Sequence, residues 1–430
     1  MNQSSNRQMR HAGSIIGLLI FVSLSAHCQR LVSGSVLDGE TKQGIPFAAV
    51  HIENSTIGVS CDEMGIFSLY VPQEKENASV VISALGYRPD TMYIQKMHGN
   101  KCVATLQSAA IQLGGVEVVE YATARKLMDA ILERIPQNYR TDEAVGIWHY
   151  RSRRLLNDSL YIKAQGLARN YMPPYGKMLR YSHSRDTSKL NDELYHFYQS
   201  LDSVLYHDKP LWHSLVGSDG LDEKMGIAGI GGTTGPSVSI GSDFVNYMKK
   251  TNLRIFSKKS TFLMETFLQD GVAYYRMTIS YTPRGLTLCD TIIAVINKDE
   301  LAIVEALHIH PSSASYAKPG FMQKYLYFKD VRYYSKTRWR YHKYNGKYQL
   351  DFIQTENEQW IEFSEKAEAA GCKSTHLKIS NYEELMLSTH STEGVEEYKQ
   401  RYLNSKNPRS KENVRETERI LRELGNTIPW

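Results

Sequence analysis

At 430 residues the chain is long enough for two or three domains, and its 42% hydrophobic content supplies real cores. The 28 Tyr against 12 Phe favour wet-edged β structure over a dry helical bundle. A net charge of +5 is too small for nucleic-acid binding, which needs Lys and Arg gathered on one face, so no nucleic-acid partner is expected.

The N-terminus reads as a secretory signal over residues 1–28. Arg7, Arg10 and His11 precede the apolar run Ile15–Val22, which is too short to span a bilayer, and Ser23, Ser25 and Ala26 follow. Cleavage falls after Ala26 or Cys28. A lipobox wants a small residue before its cysteine, and His27 stands there instead, so Cys28 is a poor lipidation site. The expected location is the periplasm or the periplasmic face of the outer membrane, with no transmembrane span in the mature chain. Cys61, Cys102, Cys289 and Cys372 remain, and four cysteines allow three pairings. Cys61 and Cys102 can bridge in an oxidising compartment, but widely spaced cysteines without a C-x-x-C pair read first as buried thiols.

Residues 29–107 break into short alternating runs: Leu31–Leu37, Phe47–Ile52, Phe67–Val71, Ser79–Ala84, Thr91–Ile94 and Val103–Leu106. The segment from Gly58 to Leu69 is the sharpest signal. Asp62 is placed to bond backbone two residues on, Gly65 to take positive φ, and Phe67 and Leu69 to alternate inward. About seven short strands at this spacing predict a β-sandwich.

Gly34–Asp38, Gly44–Val50, Gly58, Asp62, Gly65, Phe67 and Ser83–Tyr87 resemble the carboxypeptidase-like regulatory domain. The resemblance implies a transthyretin-like sandwich, related to the N-terminal module of TonB-dependent receptors. It implies no peptidase activity, because that module is non-catalytic even beside a carboxypeptidase.

Residues 108–145 predict a linker and one amphipathic helix. Ala124, Leu127, Met128, Ile131, Leu132 and Ile135 form an apolar stripe stopped by Pro136. Residues 146–390 predict a curved antiparallel β domain with a helical insertion at 188–207, drawn from the spacing of Leu190, Leu194, Phe197, Tyr198, Leu201, Val204 and Leu205. A hairpin is expected at Asn157-Asp158 and another at Asn345-Gly346. The first hairpin, with Tyr171-Met-Pro-Pro-Tyr175, resembles the middle region of Gram-negative envelope proteins carrying the same N-terminal module. Residues 272–310 are similar to the strand units of half-barrels in periplasmic lipoprotein carriers. A glycine- and serine-rich loop is expected at 217–241, and residues 391–430 read as a polar helical tail. The overall class is mainly β: an all-β sandwich, then an α+β half-barrel-like sheet with accessory helices.

No H-E-x-x-H, G-x-S-x-G or P-loop spacing occurs, so no catalytic residue and no cofactor is assigned. His308-Ile-His310 puts two imidazoles on one strand face, a weak metal pair lacking a third ligand; Glu305 falls on the other face. Arg332–Tyr344 interleaves aromatic and basic residues, and Tyr333, Trp339, Arg340, Tyr341 and Tyr344 are the candidate ligand surface for glycan or anionic lipid. The functional expectation is a non-catalytic envelope binding or scaffold protein, holding an apolar chain, a glycan or a partner protein. Two alternatives stand beside it: a relative of a TonB-dependent uptake system, and an envelope-polymer hydrolase.

Overall fold

The computed structural model describes residues 30–175, 198–200, 206–207, 243–246, 259–315 and 327–397, apart from scattered positions inside those ranges, of which 98–101 and 283–288 are the longest. The expected signal, the glycine-rich loop and nearly all of the C-terminal tail lie outside these residues.

The sandwich is built from β1 (Arg30–Asp38), β2 (Ala49–Ile52), β3 (Gly58–Ser60), β4 (Ile66–Val71), β5 (Ser79–Ser83), β6 (Asp90–Tyr93) and β7 (Cys102–Leu106). One sheet runs β4-β1-β7, the other β3-β2-β5-β6. The two-residue alternation aims Val32, Val36, Val50, Ile52, Phe67, Leu69, Val80 and Ile82 into one fully buried core. The β3–β4 turn has the chemistry its sequence announces. Asp62 Oδ1 accepts the N–H of Met64 at 2.9 Å and of Ile66 at 2.8 Å, and Gly65 has φ +75°. A Cβ on Gly65 would sit 2.6 Å from the Val36 carbonyl oxygen. Gly65→Ala is therefore expected to destabilise the sandwich by about 1–3 kcal/mol, read as a lowered unfolding midpoint. An unchanged midpoint would contradict the close approach. Cys61 and Cys102 are free and buried, and Cys372 is likewise a buried free thiol.

The second layer is one large antiparallel sheet. Its strands are β8 (Gln112–Val118), β9 (Ala144–Leu156), β10 (Ser159–Met172), β11 (Tyr198–Ser200), β12 (Tyr206–His207), β13 (Thr261–Gln269), β14 (Val272–Tyr281), β15 (Asp290–Asn297), β16 (Ala302–Ser315), β17 (Phe328–Tyr344), β18 (Lys347–Phe363) and β19 (His376–Ser391). The order is β11-β10-β9-β19-β18-β17-β16-β15-β14-β13-β8, with β12 also on β10. The described strands form an open sheet with β8 at one end of the path and β11 at the other. Asn157 and Asp158 at φ 46° and 65°, and Asn345 and Gly346 at 48° and 79°, close the two expected hairpins.

The expected helix at 188–207 is overturned where it can be described. Tyr198–Ser200 pairs with Leu167–Arg169, and Tyr206–His207 with Ile162–Lys163. Apolar residues at helical spacing also suit a strand when an edge is free to receive their backbone, and here β10 receives it.

Chain connectivity fixes what covers the sheet. β8 lies beside β13, whereas the next strand, β9, lies beside β19. Between them α1 (Tyr121–Glu133) and α2 (Ile135–Asn138) pass over one face. Pro136 stands in the first turn of α2, where its missing N–H costs nothing. The expected stripe holds: Ala124, Met128, Ile131 and Ile135 are buried against Phe262, Met277, Ile279, Ile292, Ala294 and Ile296. We call this the helix face. Tyr139 follows, fully buried, its hydroxyl donating to the Ile303 carbonyl at 2.7 Å. A short helix, α3 (Glu365–Ala369), precedes β19. No helix among the described residues is long and apolar enough to cross a membrane.

Candidate functional site

Beyond the apolar zone under α1, the helix face turns polar. Strand alternation carries Tyr281 on β14, Asp290 on β15 and His308 and His310 on β16 to this face, in line with the buried Ile279, Ile292 and Ala306. Ser335 and Thr337 on β17 stand opposite His310 and His308. Asn357 and Thr355 continue the row on β18, then Asn381 and Glu383 on β19.

The two histidines are thus brought together as expected, and the third group that sequence reading missed is Asp290. Its side chain is 3% exposed, while those of His308 and His310 are 30% and 31% exposed. His308 Nε2 lies 3.2 Å from Oδ2, and His310 Nδ1 lies 2.7 Å from Oδ1. The Tyr281 hydroxyl donates to Oδ2 at 3.0 Å. Burial holds His308 below the usual imidazole range. Glu305 is on the opposite face as expected, near Arg338 at 3.5 Å. Cys289, adjacent in sequence, is exposed, and its thiol meets the Asp290 carbonyl at 3.5 Å.

A second polar node is wholly buried. Asp243 accepts the hydroxyls of Tyr175 at 2.6 Å and Tyr341 at 2.8 Å, and the N–H of Val245 at 3.0 Å. The rings of Tyr139, Tyr175, Tyr341 and Tyr348 pack around it. Tyr175 also accepts the Leu350 N–H at 3.0 Å, so the Met-Pro-Pro-Tyr segment anchors one strand to another. Desolvation raises the Asp243 pKa, against the pull of these donors.

The other face of the sheet seats the sandwich. Phe352 and Met386 join the sandwich core, and the His51 ring meets that of His342 with centroids 4.1 Å apart. His342 touches Tyr344 at 5.0 Å, and Tyr344 touches His390 at 5.9 Å. Arg340 lies over Phe352 at 4.8 Å and reaches Asp351 at 3.5 Å. Burial drives His51 down to about 3 and His342 and His390 to about 4, with Arg340 and Arg140 adding like-charge repulsion.

This arrangement corrects the expected ligand surface. Trp339 and Tyr341 are 5% and 4% exposed in the helix-face core, and Arg340 and Tyr344 belong to the cluster facing the sandwich. Tyr333 is half-buried on the helix face, bonded to Asn357 at 3.0 Å. Alternation along β17 splits the five residues between two faces. They make no common surface.

Comparisons with known proteins bear on the first layer. Residues 32–118 match the family model of the CarboxypepD_reg-like domain, so the N-terminal module is a carboxypeptidase-regulatory-like domain. Domains of this family are non-catalytic. The match extends past the sandwich through β8, the strand that enters the large sheet. No curated protein matches the chain. Among solved structures, one from Bacteroides fragilis, described as a "putative membrane-associated protein of unknown function", is 13% identical over 84% of this chain and 98% of its own, with a TM-score of 0.14. A likeness at that score carries no argument about shape or function.

Proposed function

We propose that the chain is a non-catalytic binding or scaffold protein of the cell envelope, in which the regulatory-like sandwich and the large sheet act as one platform for a partner protein. The observation that carries this reading is the use of both faces of the sheet for internal packing. The apolar part of one face is covered by α1, α2 and Tyr139, and the other is seated on the sandwich through Phe352 and Met386. That packing weighs against an apolar chain held in the region the helices fill. The apolar run Ile15–Val22 and the small residues after it support export.

The test is fractionation of cells producing the full-length protein, with mass spectrometry of its N-terminus and of a lipid extract of the purified chain. A processed protein in the envelope fraction, free of stoichiometric lipid and cross-linked there to a discrete protein partner, is the expected result. An unprocessed cytosolic protein would overturn the envelope reading, and one acyl lipid per chain would restore the apolar-ligand reading.

A further inference from the structure

We propose that Asp290, His308 and His310 form a divalent transition-metal site of zinc-like preference on the polar part of the helix face. The three donor atoms lie within 4.8 Å of one another, contributed by two adjacent strands whose register is fixed by the Thr291–Ile309 and Ile292–His308 pairs. Two imidazole nitrogens and one carboxylate oxygen suit zinc or a similar first-row ion over calcium or magnesium, which want oxygen shells. A tetrahedral ion with bonds of about 2.0–2.1 Å holds its donors roughly 3.3 Å apart. His308 Nε2 already stands 3.2 Å from Asp290 Oδ2, and His310 Nδ1, 2.7 Å from the other carboxylate oxygen, must retreat by about 0.6 Å.

Chemistry around the triad supports the same occupant. Asp290 is buried, and Tyr281 pins its carboxylate, as a polar neighbour commonly orients a ligating group. The imidazoles remain about one-third exposed, which leaves an ion a route in and at least one position for water. The basic residues of β17 nearest in register turn the other way, Lys336 to Glu356 and Arg338 to Glu305. On binding, the metal takes the place of the protons now shared with Asp290. Each imidazole then carries its one remaining N–H on the other ring nitrogen, and any proton held beyond that leaves to solvent.

The experiment is a calorimetric Zn²⁺ titration of the untagged full chain, with thermal unfolding read alongside and Mg²⁺ as the control ion. Wild-type protein is expected to bind one Zn²⁺ and to gain several degrees in its midpoint, with no response to Mg²⁺. His308→Ala and His310→Gln are expected to lose at least about tenfold in affinity while their metal-free midpoints stay near wild type. Asp290→Asn should lose as much, but its buried position can also disturb folding, so the two histidine variants decide. Cys289→Ser is expected to bind as wild type. No saturable Zn²⁺ binding would leave the triad a hydrogen-bonded cluster and overturn the proposal. So would equal binding by wild type and both histidine variants, or loss only in Cys289→Ser.

Discussion

Replacing Asp243 with alanine is expected to cost about 3–5 kcal/mol of stability, enough to unfold a large share of a marginally stable domain. The carboxylate is the shared acceptor for two buried tyrosine hydroxyls and for the N–H groups of Val245 and Asn246. Alanine takes the acceptor from both tyrosine hydroxyls and from the Asn246 N–H in a buried site, while the Val245 N–H keeps the Tyr341 hydroxyl at 3.0 Å, and it opens a void among four packed tyrosine rings. Asp243→Asn keeps one oxygen in place and should cost about 1–2 kcal/mol. Urea unfolding of the three proteins gives the comparison. A loss below about 1 kcal/mol for the alanine variant would show that the node is not a keystone of the helix-face core.

Acidification from pH 7 to pH 4.5 is expected to loosen the seat of the sandwich on the sheet. His51, His342 and His390 titrate at about 3, 4 and 4 in the folded chain, against 6.5 when unfolded. Below pH 6.5 the unfolded chain therefore holds more protons than the native one, and stability falls as pH falls. Each imidazole contributes a slope of at most about 1.4 kcal/mol per pH unit, less what its partial exposure screens. Asp243, Glu305 and Asp351, whose pKa values burial raises, act in the opposite sense by taking up protons in the native state. The clean measurement is a difference. Urea midpoints of wild type and His342→Gln, taken at pH 7, 6, 5 and 4.5, should converge on the acid side. Parallel curves would show that the imidazole is not buried in the neutral form.

Local chemistry was legible in the sequence wherever one residue type answers one backbone demand. Asp62 and Gly65 announce their turn, Asn345-Gly346 its hairpin, and the alternation of Met277, Ile279 and Tyr281 the face they share. What stayed hidden was register. Asp290 precedes His308 by a whole strand and hairpin, and a bulge at Val295/Ile296 shifts the count between them. Its one signal was a carboxylate opening the apolar run Thr291–Ile296, where a burial cost must be offset by a partner. Tyr198–His207 misled for a related reason. Helical spacing described its apolar residues, but a free edge of β10 decided the backbone of Tyr198–Ser200 and Tyr206–His207. Arg332–Tyr344 looked like one aromatic-basic surface because composition does not say which residues turn inward; alternation put Trp339 in a core and Arg340 under the sandwich.

The long crossover from β8 to β9 also sets an order of assembly. As synthesis proceeds, the sandwich closes early, for β1 finds β4 and β7 within its own segment. The large sheet must wait. Val118 has no partner until Leu263 emerges, and Ile147 none on its β19 side until Thr389 does. Such distant pairings make folding slow and leave unpaired strand edges exposed in the nascent chain. The β9–β10 hairpin, complete before β19 is made, is the edge that stays open longest on its β19 side.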